Sequence, residues 1–472
     1  MRIFCFSALL LISLIGFSQT DHVSRIDKEN LRKSIQSLTS GLLVNRQTGT
    51  TGQREAAKFI ADKFRTLGLT PFDSAGYYQK INLVNTYWGE VYIMADKRKL
   101  ENFIQMAYMG HAVQNTEVEK EVVFGGNGDD NQLNQINVAG KMVLIFVNNL
   151  RAYYEVSQKL KIKKAFGVIL ANPEMANQFE SVKNTFKDYT LQKRLSISER
   201  VSFSDTVKYI PQFLISNAEV KTIMRVSISR LKKYIETNSL GSCPTSTIKI
   251  KCEKLSVPVE SENVVGTLRG KSDQSILLSA HYDTYNYAGQ NPGADDNASG
   301  IATLFELADQ LVDEGTPTVT IIFLATTGEE DGLLGSAYYA NSSDFVSRKI
   351  LYNLNVDMIG RTDDKHASNT KYIYCIGNHQ NSLLDHAITS ADSLYTNCSF
   401  DYTYYNSNDN SFQNRGDHAS FLKKGVTSIM FFGGLHGDYH QPGDVADKIN
   451  YKLLESRAQL IHVVISQALK QL

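Results

Sequence analysis

The C-terminal half of the chain alternates two apolar patterns. Short apolar-rich runs at residues 276–280, 319–325, 351–356 and 429–432 have the length and composition of buried strands. Between and after them, apolar residues recur at helical spacing. Ile301, Leu304, Phe305, Ala308 and Leu311 share one face after Gly300, and Leu453, Leu454, Leu460, Ile461, Val464 and Ile465 share another near the end. Strands alternating with helices predict an α/β fold, a doubly wound, mostly parallel sheet in three α/β/α layers.

The first part of the chain reads differently. Leu31, Ile35 and Leu38 mark one helix. Ala56, Ile60, Phe64 and Leu67 mark a second, which Gly68 stops. Strand-like runs follow at residues 121–124, 141–147 and 167–170, with glycine- and asparagine-rich connections and no cluster of acids and histidines. These changes divide the chain into residues 19–86, 87–245 and 246–472, with the first and last expected in one domain and a smaller β-rich domain inserted between them. Residues 395–415, rich in Tyr, Asn and Ser, read as a long loop.

Residues 1–18 form a basic start, an apolar stretch and a small-residue end, which is the pattern of a signal peptide. The apolar stretch is shorter than the ~20 residues a spanning helix needs. The expectation is export, secreted or periplasmic, with no membrane association after cleavage. Lys plus Arg and Asp plus Glu number 49 each. That balance offers no basic field for nucleic acid as partner. Past the signal, Cys243, Cys252, Cys375 and Cys398 permit two disulfides, Cys243–Cys252 and Cys375–Cys398 being nearest in sequence; four buried thiols are the alternative.

The candidate chemistry lies at the strand ends. His281 and Asp283 follow the first run, and Asp295 and Asp296 come next. Glu329 and Glu330 follow the second run, Asp357 the third, and Tyr439 and His440 the last. In open α/β sheets ligands bind beyond the carboxyl ends of the strands, so these residues should converge. Two histidines with several carboxylates suit zinc. The set exceeds what one tetrahedral ion needs and suits two zincs with a bridging carboxylate and a spare acid as base.

The motifs His281-Tyr282-Asp283, Gly293-Ala294-Asp295-Asp296-Asn297, Gly328-Glu329-Glu330-Asp331-Gly332, Asn355-Val356-Asp357 and Tyr439-His440-Gln441-Pro442-Gly443-Asp444 resemble those of metallopeptidase family twenty-eight, the co-catalytic di-zinc aminopeptidases, in both order and spacing. The resemblance implies zinc, two per chain, with Asp295 as the bridge. His281 and Asp357 would complete one site, and Glu330 and His440 the other. Glu329 would be the general base, Tyr439 an oxyanion donor, and Asp283 the group that orients His281. Asp296 is the alternative bridge; family register favours Asp295. His436 and His418 lie near His440, and the Tyr-His-x-Pro-x-Asp pattern selects His440. His436 then reads as a loop residue, and Asp417-His418 as structural or substrate-facing. Residues 138–144, 165–170 and 210–216 resemble elements of a protease-associated (PA) domain.

The implied activity is an aminopeptidase acting on peptide substrates. A single-zinc glutaminyl-cyclase-like transferase and a glutamate-carboxypeptidase-like exopeptidase are the alternatives. A carboxypeptidase needs a basic group for the substrate carboxylate, and Arg415 is the only arginine in residues 395–440. A binding protein on the same fold would have lost ligands, whereas every ligand position here is filled.

Overall fold

The computed structural model describes residues 26–175, 178–191, 194–198, 209–285, 291–377, 382–404 and 412–472. The expected signal peptide lies outside the described residues, as does part of the expected loop at residues 395–415. Among the described residues no helix is long and apolar enough to cross a membrane.

Helix α1 (Lys28–Leu38) buries Leu31, Ile35 and Leu38. Helix α2 (Thr51–Thr66) is capped by the Thr50 side chain, which accepts from the Gln53 amide, and it buries Ala56, Ile60 and Phe64. Gly68 follows at φ +78°, a conformation glycine reaches without steric cost.

A long strand, β1 (Tyr78–Ala95), leads into the middle of the chain. There β2 (Gln114–Phe124), β3 (Met142–Phe146), β4 (Gly167–Ala171) and β5 (Gln212–Ile215) lie side by side in parallel, with helix α3 (Leu150–Ile162) crossing from β3 to β4. Strand β6 (Ser246–Leu268) returns antiparallel to β1, from Lys249 opposite Met94 to Val264 opposite Tyr78. A two-stranded ribbon therefore joins the middle segment to the rest. The β-rich expectation for this segment missed its helices, which also include Gln178–Leu191, Asn217–Met224 and Ile228–Glu236. In α3 the signal was present: Tyr153, Val156 and Leu160 are buried at helical spacing.

The C-terminal half supplies β7 (Ser275–His281), α4 (Gly300–Asp313), β8 (Thr320–Thr326), β9 (Ile350–Asp357), β10 (Tyr372–Gly377), α5 (Ser382–Leu394), β11 (Thr427–Phe432) and α6 (Tyr451–Lys470). The strand order is β10-β11-β9-β7-β8-β6. The central four, β8, β7, β9 and β11, are parallel, and β6 and β10 flank them antiparallel. The sheet is thus mixed and mostly parallel, as expected. From β7 the chain goes to β8 on one side and then to β9 on the other. The carboxyl end of β7 is therefore a switch point, where a crevice opens.

Side chains alternate across the sheet. Ile276, Leu278 and Ala280 of β7 join a core with α1, α2, α4, α5 and α6. Leu277 faces the other way, toward Tyr339 and Phe421. All four described cysteines are free. The sequence-nearest disulfides do not form; three of the thiols are buried and serve as small apolar groups. Burial raises the Cys252 thiol to about 12, far from a reactive thiolate.

Phe64 ties α2 to this core. Its ring stands edge-on to Phe305, with centroids 5.9 Å apart, and 6.3 Å from Phe323. Phe64→Ala should cost about 3–5 kcal/mol of unfolding free energy, read from denaturant midpoints at constant m-value. A loss below about 1 kcal/mol would show that the helix is not docked there.

Candidate metal centre

Four strand ends set the centre's position. His281 is the last residue of β7 and pairs with Thr326 at the end of β8, while Asp357 ends β9 opposite Phe432 of β11. One edge of the sheet therefore carries them all. His281 Nδ1 lies 3.2 Å from the Asp283 carbonyl oxygen. A carbonyl can only accept, so Nδ1 carries hydrogen and Nε2 is the atom available to a cation.

The Asp283 carboxylate lies 3.6 Å from His281 Nδ1. It accepts from the Glu329 amide at 3.2 Å, the Glu330 amide at 3.3 Å and the Thr48 hydroxyl at 3.2 Å. It thus clasps the loop that carries both glutamates. Met358 at φ +50° and His440 at φ +58° are non-glycine residues in the left-handed region, as is common beside functional sites.

The loop after β7 is held from three directions. Asp444 accepts from the Asp295 amide at 2.9 Å and the Asp296 amide at 3.0 Å. Asn297 donates to Val356 O at 2.9 Å and accepts from the Met358 amide at 3.1 Å. The fully buried Arg46 donates to the carbonyls of Tyr282 and Gly293 at 2.8 and 2.9 Å, and also to those of Pro292, Leu38 and Leu43.

These bonds aim Asp296 at the centre. Its Oδ1 lies 3.2 Å from His281 Nε2, and its Oδ2 lies 3.3 Å from His440 Nε2. Asp357 Oδ1 is 3.5 Å from His281 Nε2, and Glu330 Oε2 is 3.0 Å from His440 Nε2. Two groups of potential ligands result, His281–Asp296–Asp357 and Asp296–Glu330–His440, with Asp296 common to both.

Asp295 belongs to neither group, which corrects the expected bridge. Its side chain turns inward, where Oδ1 accepts from the Gly360 amide at 2.6 Å and Oδ2 lies 3.3 Å from His436 Nε2. The backbone at Asp296, φ −107° and ψ 87°, breaks the helical turn and sends the two neighbouring side chains apart. His436 lies in the loop after β11, as expected, and in neither group; its side chain is 4 % exposed and faces Asp295.

The donor set fits a metal. Asp357 Oδ1 and His440 Nε2 are buried and make no hydrogen bond. Imidazole nitrogens with carboxylate oxygens are zinc donors. Burial alone would lower the His281 pKa, but the neighbouring carboxylates of Asp283, Asp296 and Asp357 push it well above the ordinary histidine value. Burial opposes charge on His440 too, yet Asp296 and Glu330 raise it to about 9. Burial pushes Glu330 up to about 8 and Glu329 well above the usual carboxylate range. Positive charge is what these carboxylates require.

A cavity of about 60 Å³ opens beside the cluster. Its lining includes the polar Glu329, Tyr439 and Arg415 and the apolar Met358, Phe412, Met430, Phe432 and Leu435. Tyr439 stacks on His440 with centroids 3.7 Å apart, and its hydroxyl is 3.5 Å from Arg415 Nη2. Asp417 and His418 are fully buried and do not line the cavity; Asp417 accepts from Thr326 Oγ1. The sequence reading missed the roles of Arg46 and Asn297. Asp444 was visible in the motif, but its hold on Asp295 and Asp296 was not.

A mostly parallel α/β sheet with imidazoles and carboxylates gathered at the strand carboxyl ends defines a class of proteins built around a metal centre. The sequence model of Peptidase family M28 matches residues 263–465. A probable zinc metalloprotease of Pyricularia oryzae is 30% identical over 241 residues, 44% of this chain and 47% of that protein. Aminopeptidase YwaD of Bacillus subtilis is 28% identical over 225 residues, 45% of each chain. The chain thus spans about half the length of the curated relatives it matches. Among solved structures, an aminopeptidase from Aneurinibacillus sp. strain AM-1 shares 20% identity over 94% of both chains at a TM-score of 0.50. The zinc aminopeptidase BSAP from Bacillus subtilis shares 19% identity over 94% of this chain and 96% of its own, at 0.51. At these identities the likeness shows the fold alone.

Burial lowers the His418 pKa to about 4, against about 6.5 in an unfolded chain. The unfolded state therefore binds the proton first as pH falls. His418's contribution is fully present above about pH 6.5 and is lost progressively down to about pH 4, a difference of about 3 kcal/mol. His418→Gln should flatten that part of the stability–pH curve, measured by urea unfolding at several pH values. An unchanged slope would overturn the assignment.

Proposed function

We propose that the protein is an exported aminopeptidase that holds two zinc ions per chain and removes N-terminal residues from peptides, with residues 87–245 forming a PA-like domain beside the catalytic one. The observation that carries the reading is the Asp296 carboxylate, with one oxygen toward His281 and the other toward His440. Two groups sharing one carboxylate favour a two-metal hydrolase over a single-zinc cyclase. The match to the Peptidase family M28 model and the relatives named as zinc metalloprotease and aminopeptidase support it. The apolar segment at residues 3–17 supports export.

In this reading His281 and Asp357 hold one zinc, Glu330 and His440 the other, and Asp296 joins them. When bound there, zinc would supply Lewis acidity toward the scissile carbonyl and toward water. Glu329 takes the proton of the attacking water and returns it to the leaving amine. The Tyr439 hydroxyl donates to the oxygen on which charge develops. Asp283 keeps His281 and the glutamate loop in register. The apolar residues of the cavity lining receive the substrate's first side chain, so an uncharged apolar N-terminal residue is favoured.

Arg415 on the cavity wall supports a second reading, a carboxypeptidase whose substrate carboxylate meets that guanidinium. Leucyl and methionyl substrates with a free amine should be hydrolysed and their N-acetylated forms should not. Release of C-terminal residues from N-acetylated peptides would replace the first reading with the second.

Glu329→Gln should keep its zinc and lose roughly 10²–10⁴-fold or more in kcat, because its role is proton transfer. Glu330→Gln removes a charged ligand and should lose metal together with activity. Elemental analysis and steady-state kinetics on both variants check this. Zinc lost from Glu329→Gln and kept by Glu330→Gln would reverse the two roles.

A further inference from the structure

The two histidines of the centre are held by different physics. His281 ends a strand, is 2% exposed, and has its ring plane fixed by the bond from Nδ1 to the Asp283 carbonyl. His440 sits in a loop, its side chain is 22% exposed, and among the described residues no hydrogen bond to Nδ1 fixes its plane. Aromatic rings stack on it instead. Tyr439 lies 3.7 Å away at an interplanar angle of 28°, and Tyr285 lies 4.3 Å away at 16°. Two six-membered rings so close and so nearly parallel to a third cannot share one face without overlapping. They therefore flank the imidazole on opposite sides.

Tyr439 is the neighbour of His440 in sequence and moves with the same loop, so it cannot anchor that loop. Tyr285 comes from elsewhere. It follows β7 four residues after His281, where Arg46 and Asp283 already fix the backbone. Its amide donates to Glu330 Oε1 at 3.2 Å, which leaves Oε2 3.0 Å from His440 Nε2. One residue thus touches both side chains that belong to the second half of the centre alone. Asp296, the ligand common to both halves, is held through Asp444.

We propose that Tyr285 is a positioning residue for one half of the centre, fixing Glu330 through its amide and His440 through its ring, so that its ring sets the zinc affinity of the Glu330–His440 half and leaves the His281–Asp357 half unchanged. The inference rests on the two-zinc reading above. It separates the ring, which stacks, from the hydroxyl, which this role does not use. Groups that orient metal ligands typically matter by roughly ten- to a hundredfold in affinity.

The test is calorimetric zinc titration of the full chain after chelator treatment, with elemental analysis and kinetics alongside. Wild-type protein should take up two zincs. Tyr285→Ala keeps the amide and removes the ring; it should bind one zinc as wild type does and the other roughly ten- to a hundredfold more weakly. Tyr285→Phe should match wild type. Should Tyr285→Ala fail to fold by circular dichroism, Tyr285→Leu fills the space without a planar ring and should weaken the same single site. Unchanged affinity at both sites, equal weakening of both, or a Phe variant as impaired as Ala would each overturn the proposal. So would a raised KM with unaltered zinc binding, which is the signature of a ring that contacts substrate instead. Wild-type protein that binds no zinc would overturn this inference and the proposed function together; two zincs in wild type with an unaffected Tyr285→Ala would overturn this inference alone.

Discussion

Mutual repulsion among buried carboxylates is the constraint around which the active edge is built. Asp283, Asp295, Asp296 and Asp444 are at most 3% exposed and Asp357 is 8% exposed, all within a few loops of one another. Isolated buried charges are costly, and hydrogen-bond donors or opposite charges must offset them. Backbone amides serve Asp283, Asp295 and Asp444. Asp296 has both imidazoles, whose attraction outweighs its burial and holds its pKa below the ordinary value. Asp357 and Glu330 lack enough such support, and burial leaves both raised. The unmet demand for positive charge thus falls on one carboxylate in each group of potential ligands, Asp357 in one and Glu330 in the other.

The same bonds build the loops. Asp283 follows β7 and clasps the loop after β8, whereas Asp444 follows β11 and clasps the loop after β7. The Gly360 amide, after β9, secures Asp295. Each loop is therefore held by a residue from another strand's end, and none can shift alone. Arg46 adds a brace from the N-terminal segment. Burial lowers its pKa to about 10, so it stays charged at neutral pH, and its fork of donors satisfies carbonyls on either side of the loop. This is a physical reason for residues 26–66 to belong with a site more than 200 positions further on.

The sheet and its helices were legible because burial on both faces leaves apolar-rich runs, and those runs mark β7, β8, β9 and β11 directly. The helices of the middle segment were harder. In α3 the apolar spacing is diluted by Lys159 and Lys161, and Lys163 and Lys164 follow at once, so the segment reads as polar. His281, Glu330, Asp357 and His440 could be picked out because the end of a parallel strand fixes where a side chain goes. Arg46 carried no comparable signal. Its five partners are backbone carbonyls, which every residue has, so nothing in their side chains announces the contact. The free cysteines show the limit of counting: an even number permits pairing without requiring it.

The exchange of Asp295 and Asp296 has a more general cause. Two adjacent acids in a regular helix or strand have predictable relative directions, and motif register can assign them. Here the turn leaves helical geometry at Asp296 and Asn297, with φ of −107° and −133°, so register alone cannot say which carboxylate faces the cluster. The hydrogen bonds decide it. Asp444 takes both amides, Gly360 takes the Asp295 side chain, and only Asp296 is left to face the histidines. Glu329 and Glu330 present the same problem with a different solution. Asp283 holds both amides, while the Tyr285 amide engages Glu330 alone. In both pairs the division of labour is set by donors from distant loops. Adjacent acids at such a site are distinguished by the fold around them, and that information is spread over the whole chain.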